Sequence, residues 1–204
     1  MAYGYFQTCN CHYCKRNGGF PHHVYVRTIN RNWFETPKNG TVSIKWGCKL
    51  NRADVHAMNN TKKPSIVVYR DPVDRFRSTF LHYFHEDGLR FQNLEGKRFG
   101  DGVGFFENLG YNIHELRLHE RADILLDNLD KLSTKEEVHH WWPQVDFFNT
   151  DDIEIIPMSK INQTFKIKAI LNQQKKVDFE FTNEQKNSII DIYTIDYDWF
   201  EGRI

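Results

Sequence analysis

The sequence predicts an α/β protein with a central, mostly parallel sheet, and its apolar segments give the first reason. The run SIVVY at 65–69 is continuous and apolar, as in a strand buried on both faces, and IEIIPM at 153–158 has the same character. Segments with helical periodicity follow both runs. Strands that alternate with helices are typical of a parallel sheet, and no internal repeat breaks the pattern.

The amino-terminal part of the chain is predicted to be irregular over residues 1–31, because Gly, His, Asn and Cys dominate it without periodicity. The domain proper is predicted to occupy residues 32–204, beginning with a short strand in NWFE. The next segment, TVSIKWGCKL, has apolar residues four apart, which predicts a helix with an apolar stripe. Its apolar face is made of Val42, Trp46 and Leu50.

A longer helix is predicted after SIVVY, since Asp71 is a suitable N-cap and Pro72 a suitable first helical residue. Its buried face is predicted from three phenylalanines four residues apart, Phe76, Phe80 and Phe84. The glycine-containing stretch 90–110 has no clear period and is predicted to be a loop.

Three further helical segments are predicted in the second half of the chain. The stretch 112–132 has helical character in two pieces, and 159–172 has apolar residues at helical spacing. Thr182 and Gln185 form a capping-box pattern, which predicts a helix from there to about Tyr193.

Charge and length restrict the class of protein. The chain has 204 residues, with 27 basic and 27 acidic side chains, so a protein that coats nucleic acid or an anionic membrane is not expected. No apolar run is long enough to span a bilayer, and the start of the sequence lacks the layout of a signal peptide. These features predict a cytoplasmic protein, in which any anion site is local.

Two strand-to-helix junctions carry the residues suited to anion binding. TPKNGTVS follows the first predicted strand and YRDPVDRFRS follows the second. In open α/β sheets ligands bind beyond the carboxyl ends of the strands, so Lys38 and Arg70 are expected to converge. Ser78 adds a hydroxyl from the following helix. The Walker A pattern is absent, because Lys38 precedes Gly40 instead of following the second glycine.

These junctions resemble the two phosphate-binding motifs of sulfotransferases that use 3′-phosphoadenosine 5′-phosphosulfate (PAPS). PKNGTVS is similar to the 5′-phosphosulfate loop, and RDPVDRFRS is similar to the 3′-phosphate motif. HHWWPQ at 139–144 resembles the H-x-x-P-Q stretch of the carbohydrate (Golgi-type) branch, and YTIDYDWF resembles that branch's carboxyl-terminal motif. The resemblance covers about residues 33–200. It implies a three-layer fold like that of the P-loop-containing nucleotide hydrolases.

The resemblance also implies roles for individual residues. The chain would transfer a sulfuryl group from PAPS to a hydroxyl acceptor, expected to be a carbohydrate, without a metal. Lys38 would stabilise charge on the leaving phosphate, and Arg70 with Ser78 would hold the 3′-phosphate. The nucleotide-binding residues implied are Pro37, Lys38, Asn39, Gly40, Thr41, Val42, Ser43, Arg70 and Ser78. Val42 stands where the family often has a hydroxyl, which removes one side-chain contact.

Several histidines are candidates for the base that takes the proton from the hydroxyl that receives the sulfuryl group. His56 lies between the two phosphate motifs, where many relatives carry their base, and it is favoured. His140 is the rival because it belongs to HHWWPQ. His82 and His85 are further candidates.

Two other functions are compatible with parts of the sequence. Cys9, Cys11, His12 and Cys14 are zinc-ligand types, which allows a non-enzymatic zinc-dependent interaction module. Structural zinc sites generally use two separated ligand pairs, and the cluster lacks a clear second pair, for which His22 and His23 are candidates. Free thiols are therefore expected instead. A small kinase or another P-loop-like transferase is the other alternative, against which the absent Walker lysine counts.

Overall fold

The computed structural model describes residues 23–50, 63–85, 102–132, 138–148, 152–168 and 177–204. The chain divides into two compact units. The first, called here the sheet unit, consists of Met1–Asp71, Pro143–Val177 and Ile195–Ile204. The second, called the helical unit, consists of Pro72–Trp142 and Asp178–Thr194.

A four-stranded sheet forms the centre of the sheet unit. Its strands are β1 (His23–Val26), β2 (Arg31–Phe34), β3 (Ser65–Tyr69) and β4 (Ile153–Pro157), in the spatial order β1-β2-β3-β4. β2, β3 and β4 run parallel, and β1 is an antiparallel edge strand. The prediction of a mixed α/β fold with a mostly parallel sheet is confirmed.

β1 corrects the prediction that residues 1–31 are irregular. His23–Val26 pairs with β2, so that His23 lies opposite Phe34 and Val26 opposite Arg31. A strand of four residues is too short to show a period in the sequence, and its backbone hydrogen bonds to β2 determine its conformation. Residues 1–22, with the cluster of cysteines and His12, lie outside the described residues.

Seven α-helices occur in the described part of the chain. They are α1 (Thr41–Gly47), α2 (Pro72–Phe84), α3 (Gly102–Asn108), α4 (Leu118–Leu126), α5 (Ile161–Phe165), α6 (Asn183–Ile192) and α7 (Thr194–Phe200). None of the described helices is long and apolar enough to cross a membrane.

The sheet is covered on both faces, because successive side chains of each strand point to opposite sides. On one face Trp33, Ile66, Val68 and Ile156 pack with residues of α1 and α5, namely Ile44, Ile161 and Phe165. On the other face Phe34 and Val67 pack with Phe148 and with Phe200 of α7. The sheet unit is therefore a three-layer arrangement.

The predicted helix α1 is present, but its apolar stripe is not the face that packs on the sheet. Val42 is 40% exposed and Trp46 is 72% exposed, whereas Ser43 and Ile44 are buried. Ile44 fixes the orientation of this short helix because it joins the core between helix and sheet. Leu50 lies beyond the end of the helix and is half-buried at the edge of the same core.

The helical unit has α2 at its centre. α2 begins at Pro72, as predicted, and its three phenylalanines Phe76, Phe80 and Phe84 are buried. Phe76 packs edge-to-face on Trp141, with 5.1 Å between the ring centroids, and Phe84 packs similarly on Phe106.

The prediction of a loop over 90–110 was wrong at its end, where α3 spans Gly102–Asn108. Gly102 lies so close to α2 that a Cβ there would be 2.9 Å from Tyr83 O. Phe105 and Phe106 are buried. A glycine read as a loop signal in fact allows the close approach of two helices.

The helices α4, α5 and α6 lie within the predicted segments but are shorter in two of them. The region 112–132 contains a 3₁₀ turn at Ile113–Glu115, then α4, then a second 3₁₀ turn at Leu129–Lys131. α6 opens with the predicted capping box, in which Gln185 N donates to Thr182 Oγ1 at 3.2 Å. α5 ends earlier than predicted, because Lys166 adopts a left-handed conformation with φ 56°.

Candidate functional site

The loop between β2 and α1 has an unusual backbone. Lys38 and Gly40 both have positive φ, 66° and 76° respectively. Gly40 is required here, because a Cβ at this position would lie 2.5 Å from Ile161 Cδ1. Backbone segments that pass through left-handed residues can turn successive N–H groups toward one point and form an anion-binding concavity.

Hydrogen bonds within the loop make it a tight turn. Asn39 N donates to Thr36 O at 3.3 Å, and the Thr41 hydroxyl donates to the same carbonyl at 2.9 Å. Ile44 N donates to Gly40 O at 3.0 Å and begins the ladder of α1. Thr41 therefore contributes its side chain to the shape of the loop.

Arg70 follows β3 directly and contacts this loop. Its Nη1 donates to Lys38 O at 2.9 Å. β2 and β3 are parallel neighbours, so their carboxyl ends lie at the same edge of the sheet. The structure thus places the guanidinium of Arg70 against the backbone of Lys38, and the convergence of the two side chains on one anion stays a prediction.

The side chain of Gln144 forms hydrogen bonds with both the loop and Arg70. The amide of the buried Asn39 donates to Val68 O at 2.5 Å and to Gln144 Oε1 at 2.6 Å. Gln144 Oε1 also accepts from Arg70 N at 3.1 Å, and Gln144 Nε2 donates to Arg70 O at 2.8 Å. One fully buried side chain therefore contacts the loop and both backbone polar groups of Arg70.

Asp196 of α7 fixes Gln144 in turn. Its carboxylate accepts from Gln144 N and Val145 N, each at 2.9 Å. Asp196 is fully buried. A buried carboxylate is tolerated where backbone N–H groups bond to it, and here it orders the start of the 144–147 turn.

An ion pair spans the loop on another side. Lys45 of α1 contacts the carboxylate of Glu35, with 2.5 Å between Nζ and Oε1. The Glu35 side chain is buried and the Lys45 side chain is about one-third exposed. Because the two residues flank the loop in sequence, their pairing links its two ends.

Two buried polar atoms in the loop have no hydrogen-bond partner in the described part of the chain. They are Thr36 Oγ1 and Asn39 Oδ1, on either side of Lys38 in sequence. Such atoms are uncommon, since each costs about 1–3 kcal/mol when left unsatisfied.

The other predicted site residues fall elsewhere. Ser78 lies on α2 in the helical unit and is half-buried. His140 also belongs to the helical unit, where its Nδ1 lies 2.9 Å from the hydroxyl of Tyr83. His82 is exposed and His85 is half-buried in the same unit. His56 lies outside the described residues.

The segment with Cys9, Cys11, His12 and Cys14 also lies outside the described residues. Within the ranges that the structure describes, no three His, Cys, Asp or Glu side chains are grouped so that they could hold a metal ion.

Gln144 and Asp196 are the residues whose part in the site was missed in the sequence. Both occur in stretches that were noted for their resemblance, HHWWPQ and YTIDYDWF, but no role was assigned to them. The sequence signal available for both is that the polar residue lies within a segment that is otherwise aromatic and typical of a core. A buried polar side chain in such a setting generally has specific partners.

Comparison with protein-family models, with curated proteins and with solved structures found no match. The interpretation of the site therefore depends on its geometry and on the motifs in the sequence.

Proposed function

We propose that the chain is a PAPS-dependent sulfotransferase that transfers a sulfuryl group to a hydroxyl acceptor, with a carbohydrate as the expected acceptor class. The observation that carries the proposal is the contact of Arg70 with the Lys38 loop, through Nη1 and Lys38 O. Two cationic residues thereby lie at one edge of a parallel sheet, where ligands of open α/β folds bind.

The Lys38 loop is assigned to the 5′-phosphosulfate end of the donor. Its left-handed residues, Lys38 and Gly40, suit a concavity of N–H groups around an anion. The Thr41 hydroxyl donates its proton to Thr36 O, so the backbone N–H of Thr41 is the group assigned to phosphate. Val42 contributes no polar side chain. Pro37 is buried and Ser43 is buried, so both are assigned to the walls of the loop.

Arg70 is assigned to the 3′-phosphate of the donor. A guanidinium carries five N–H donors, so one group can bond a backbone carbonyl and a phosphate together. The role of Ser78, which belongs to the helical unit, stays a prediction from the sequence.

The fold of the sheet unit is compatible with the proposed family. A parallel sheet covered on both faces, with the loop between a strand and the next helix as anion site, is the arrangement of P-loop-like proteins. We assign the sheet unit to that class as part of the proposal.

The proposed chemistry explains why Lys38 is needed. Sulfuryl transfer resembles phosphoryl transfer, in which positioning and charge stabilisation provide most of the catalysis. The ammonium group of Lys38 would stabilise the negative charge that develops on the leaving phosphate oxygen. An acceptor hydroxyl also requires a base, and the choice between His56 and His140 stays a prediction.

A transfer assay tests the proposal. The chain is incubated with PAPS carrying a radioactive sulfur and with a panel of carbohydrate acceptors, and labelled product is counted. Lys38→Ala should lower turnover by about 10²–10³-fold, because it removes charge stabilisation in the transition state. Lys49→Ala is the matched control, because Lys49 also has a left-handed backbone conformation but is exposed and lies beyond the end of α1. Equal turnover in the two variants would refute the role of Lys38.

A further inference from the structure

We infer that Gln144 is a positioning residue that couples the two phosphate-binding elements, so that recognition of the 3′-phosphate depends on a side chain placed behind Arg70. The inference rests on the proposed function for the identity of the ligand. The coupling itself stands on the hydrogen bonds of Gln144.

The carboxamide of Gln144 is shared between the two elements. Its Oε1 accepts from Asn39 Nδ2 of the loop and from Arg70 N, at 2.6 and 3.1 Å. Its Nε2 donates to Arg70 O at 2.8 Å. The orientation of the amide is determined by these partners, because a flipped amide would place two donors or two acceptors opposite each other.

Arg70 is the residue that most depends on this arrangement. It follows the last residue of β3, Tyr69, and so lies beyond the hydrogen bonds of the strand. Gln144 pairs with both its N–H and its C=O, much as a neighbouring strand would. Holding both backbone groups restricts the direction in which the guanidinium leaves the sheet edge.

The same carboxamide restricts the position of the loop relative to β3. Asn39 Nδ2 bonds both Gln144 Oε1 and Val68 O, which fastens the loop to β3 next to Lys38. Asp196 keeps Gln144 in place by accepting from its backbone N–H. A substitution of Gln144 would therefore alter the positions of both Lys38 and Arg70.

A nucleotide selectivity measurement tests the coupling. Dissociation constants for 3′-phosphoadenosine 5′-phosphate (PAP) and for adenosine 5′-monophosphate are measured by calorimetry, and the constant for the monophosphate divided by the constant for PAP isolates the contribution of the 3′-phosphate. In Gln144→Met, which keeps the length of the side chain, this ratio should fall by about tenfold or more because Arg70 loses its pre-organisation. An unchanged ratio in a folded Gln144→Met protein would overturn the inference.

Asn32→Ala is the matched control. Asn32 is a buried amide of the same sheet and donates to Lys63 O at 3.0 Å, but it lies near the amino end of β2. Asn32→Ala should weaken the fold without changing the selectivity ratio by more than about twofold. If it lowers the ratio as much as Gln144→Met, the effect is general destabilisation and the inference fails.

Amide hydrogen exchange separates this inference from the proposed function. Gln144→Met should accelerate exchange at Arg70 N, whose proton is bonded to Gln144 Oε1, and Asn32→Ala should not. Asn39→Ala removes the hydrogen bonds of the loop to Gln144 Oε1 and to Val68 O, and it serves if Gln144→Met fails to fold. Failure of the wild-type chain to bind PAP would refute the proposed ligand, whereas unchanged exchange at Arg70 would refute the coupling.

Discussion

Gly40→Ala is expected to destabilise the sheet unit for two reasons that can be measured separately. Gly40 has φ 76°, a region that costs an alanine roughly 1–2 kcal/mol. A Cβ at this position would also lie 2.5 Å from Ile161 Cδ1. Ile161 is fully buried in the core between sheet and helices, so its side chain has little room to move away. Overpacking of this kind adds about 1–3 kcal/mol.

The free energy of unfolding should therefore fall by about 2–5 kcal/mol in Gly40→Ala, measured by urea denaturation. Gly202→Ala is the control, because Gly202 has φ 69° and belongs to the same unit, but a Cβ there would meet no atom of the described residues within 4 Å. Its cost should be limited to the backbone term, roughly 1–2 kcal/mol.

A double-mutant cycle isolates the steric contribution to the loss in free energy of unfolding. Ile161→Val removes the Cδ1 atom that a new Cβ would meet, and alone it should cost about 0.5–1.5 kcal/mol. In the Gly40→Ala background the same change should cost less, or stabilise the protein. Additive effects, together with equal losses in Gly40→Ala and Gly202→Ala, would refute the close packing of the loop on α5.

Three further predictions concern the ligand, a thiol and the base. Arg70→Ala should weaken PAP binding by about 1.5–3 kcal/mol and adenosine 5′-monophosphate binding much less; equal losses in calorimetry would mean that Arg70 does not contact the 3′-phosphate. Burial raises the pKa of Cys48, against a smaller lowering by its hydrogen bond with Thr28. At about pH 8 iodoacetamide should therefore alkylate the folded thiol more slowly than the urea-unfolded one, as followed by peptide mass spectrometry, and equal rates would contradict its burial. His56→Ala should lower sulfate transfer by about 10²-fold or more at unchanged PAP affinity, with His140→Ala acting on acceptor affinity; the reverse pattern would assign the base to His140.

The three parallel strands of the sheet could be predicted because their evidence is local. SIVVY is apolar at every position, and such a run suits a strand covered on both faces. α2 was predictable for the same reason, since Pro72 and the three phenylalanines act within one helix. The junction after each strand then followed from the general position of ligand sites in parallel sheets.

The parts that the sequence did not reveal depend on contacts between distant residues. The exposure of Trp46 is decided by Ile44, which enters the core opposite Trp33 and Ile161. The arrangement of Gln144 depends on partners 74 and 105 residues away along the chain, Arg70 and Asn39. Sequence periodicity cannot predict such pairings, because they form only when the turn after Pro143 packs against the end of β3.

The central claim is that the Lys38 loop and Arg70 together bind a nucleotide through a 3′-phosphate. Calorimetric titration of the wild-type chain with PAP, adenosine 5′-monophosphate, ADP and ATP tests this claim most directly. PAP should bind about tenfold or more tightly than the monophosphate, in keeping with one charge-assisted contact to the 3′-phosphate. Equal affinity for these two nucleotides, or a preference for ATP over PAP, would contradict the account.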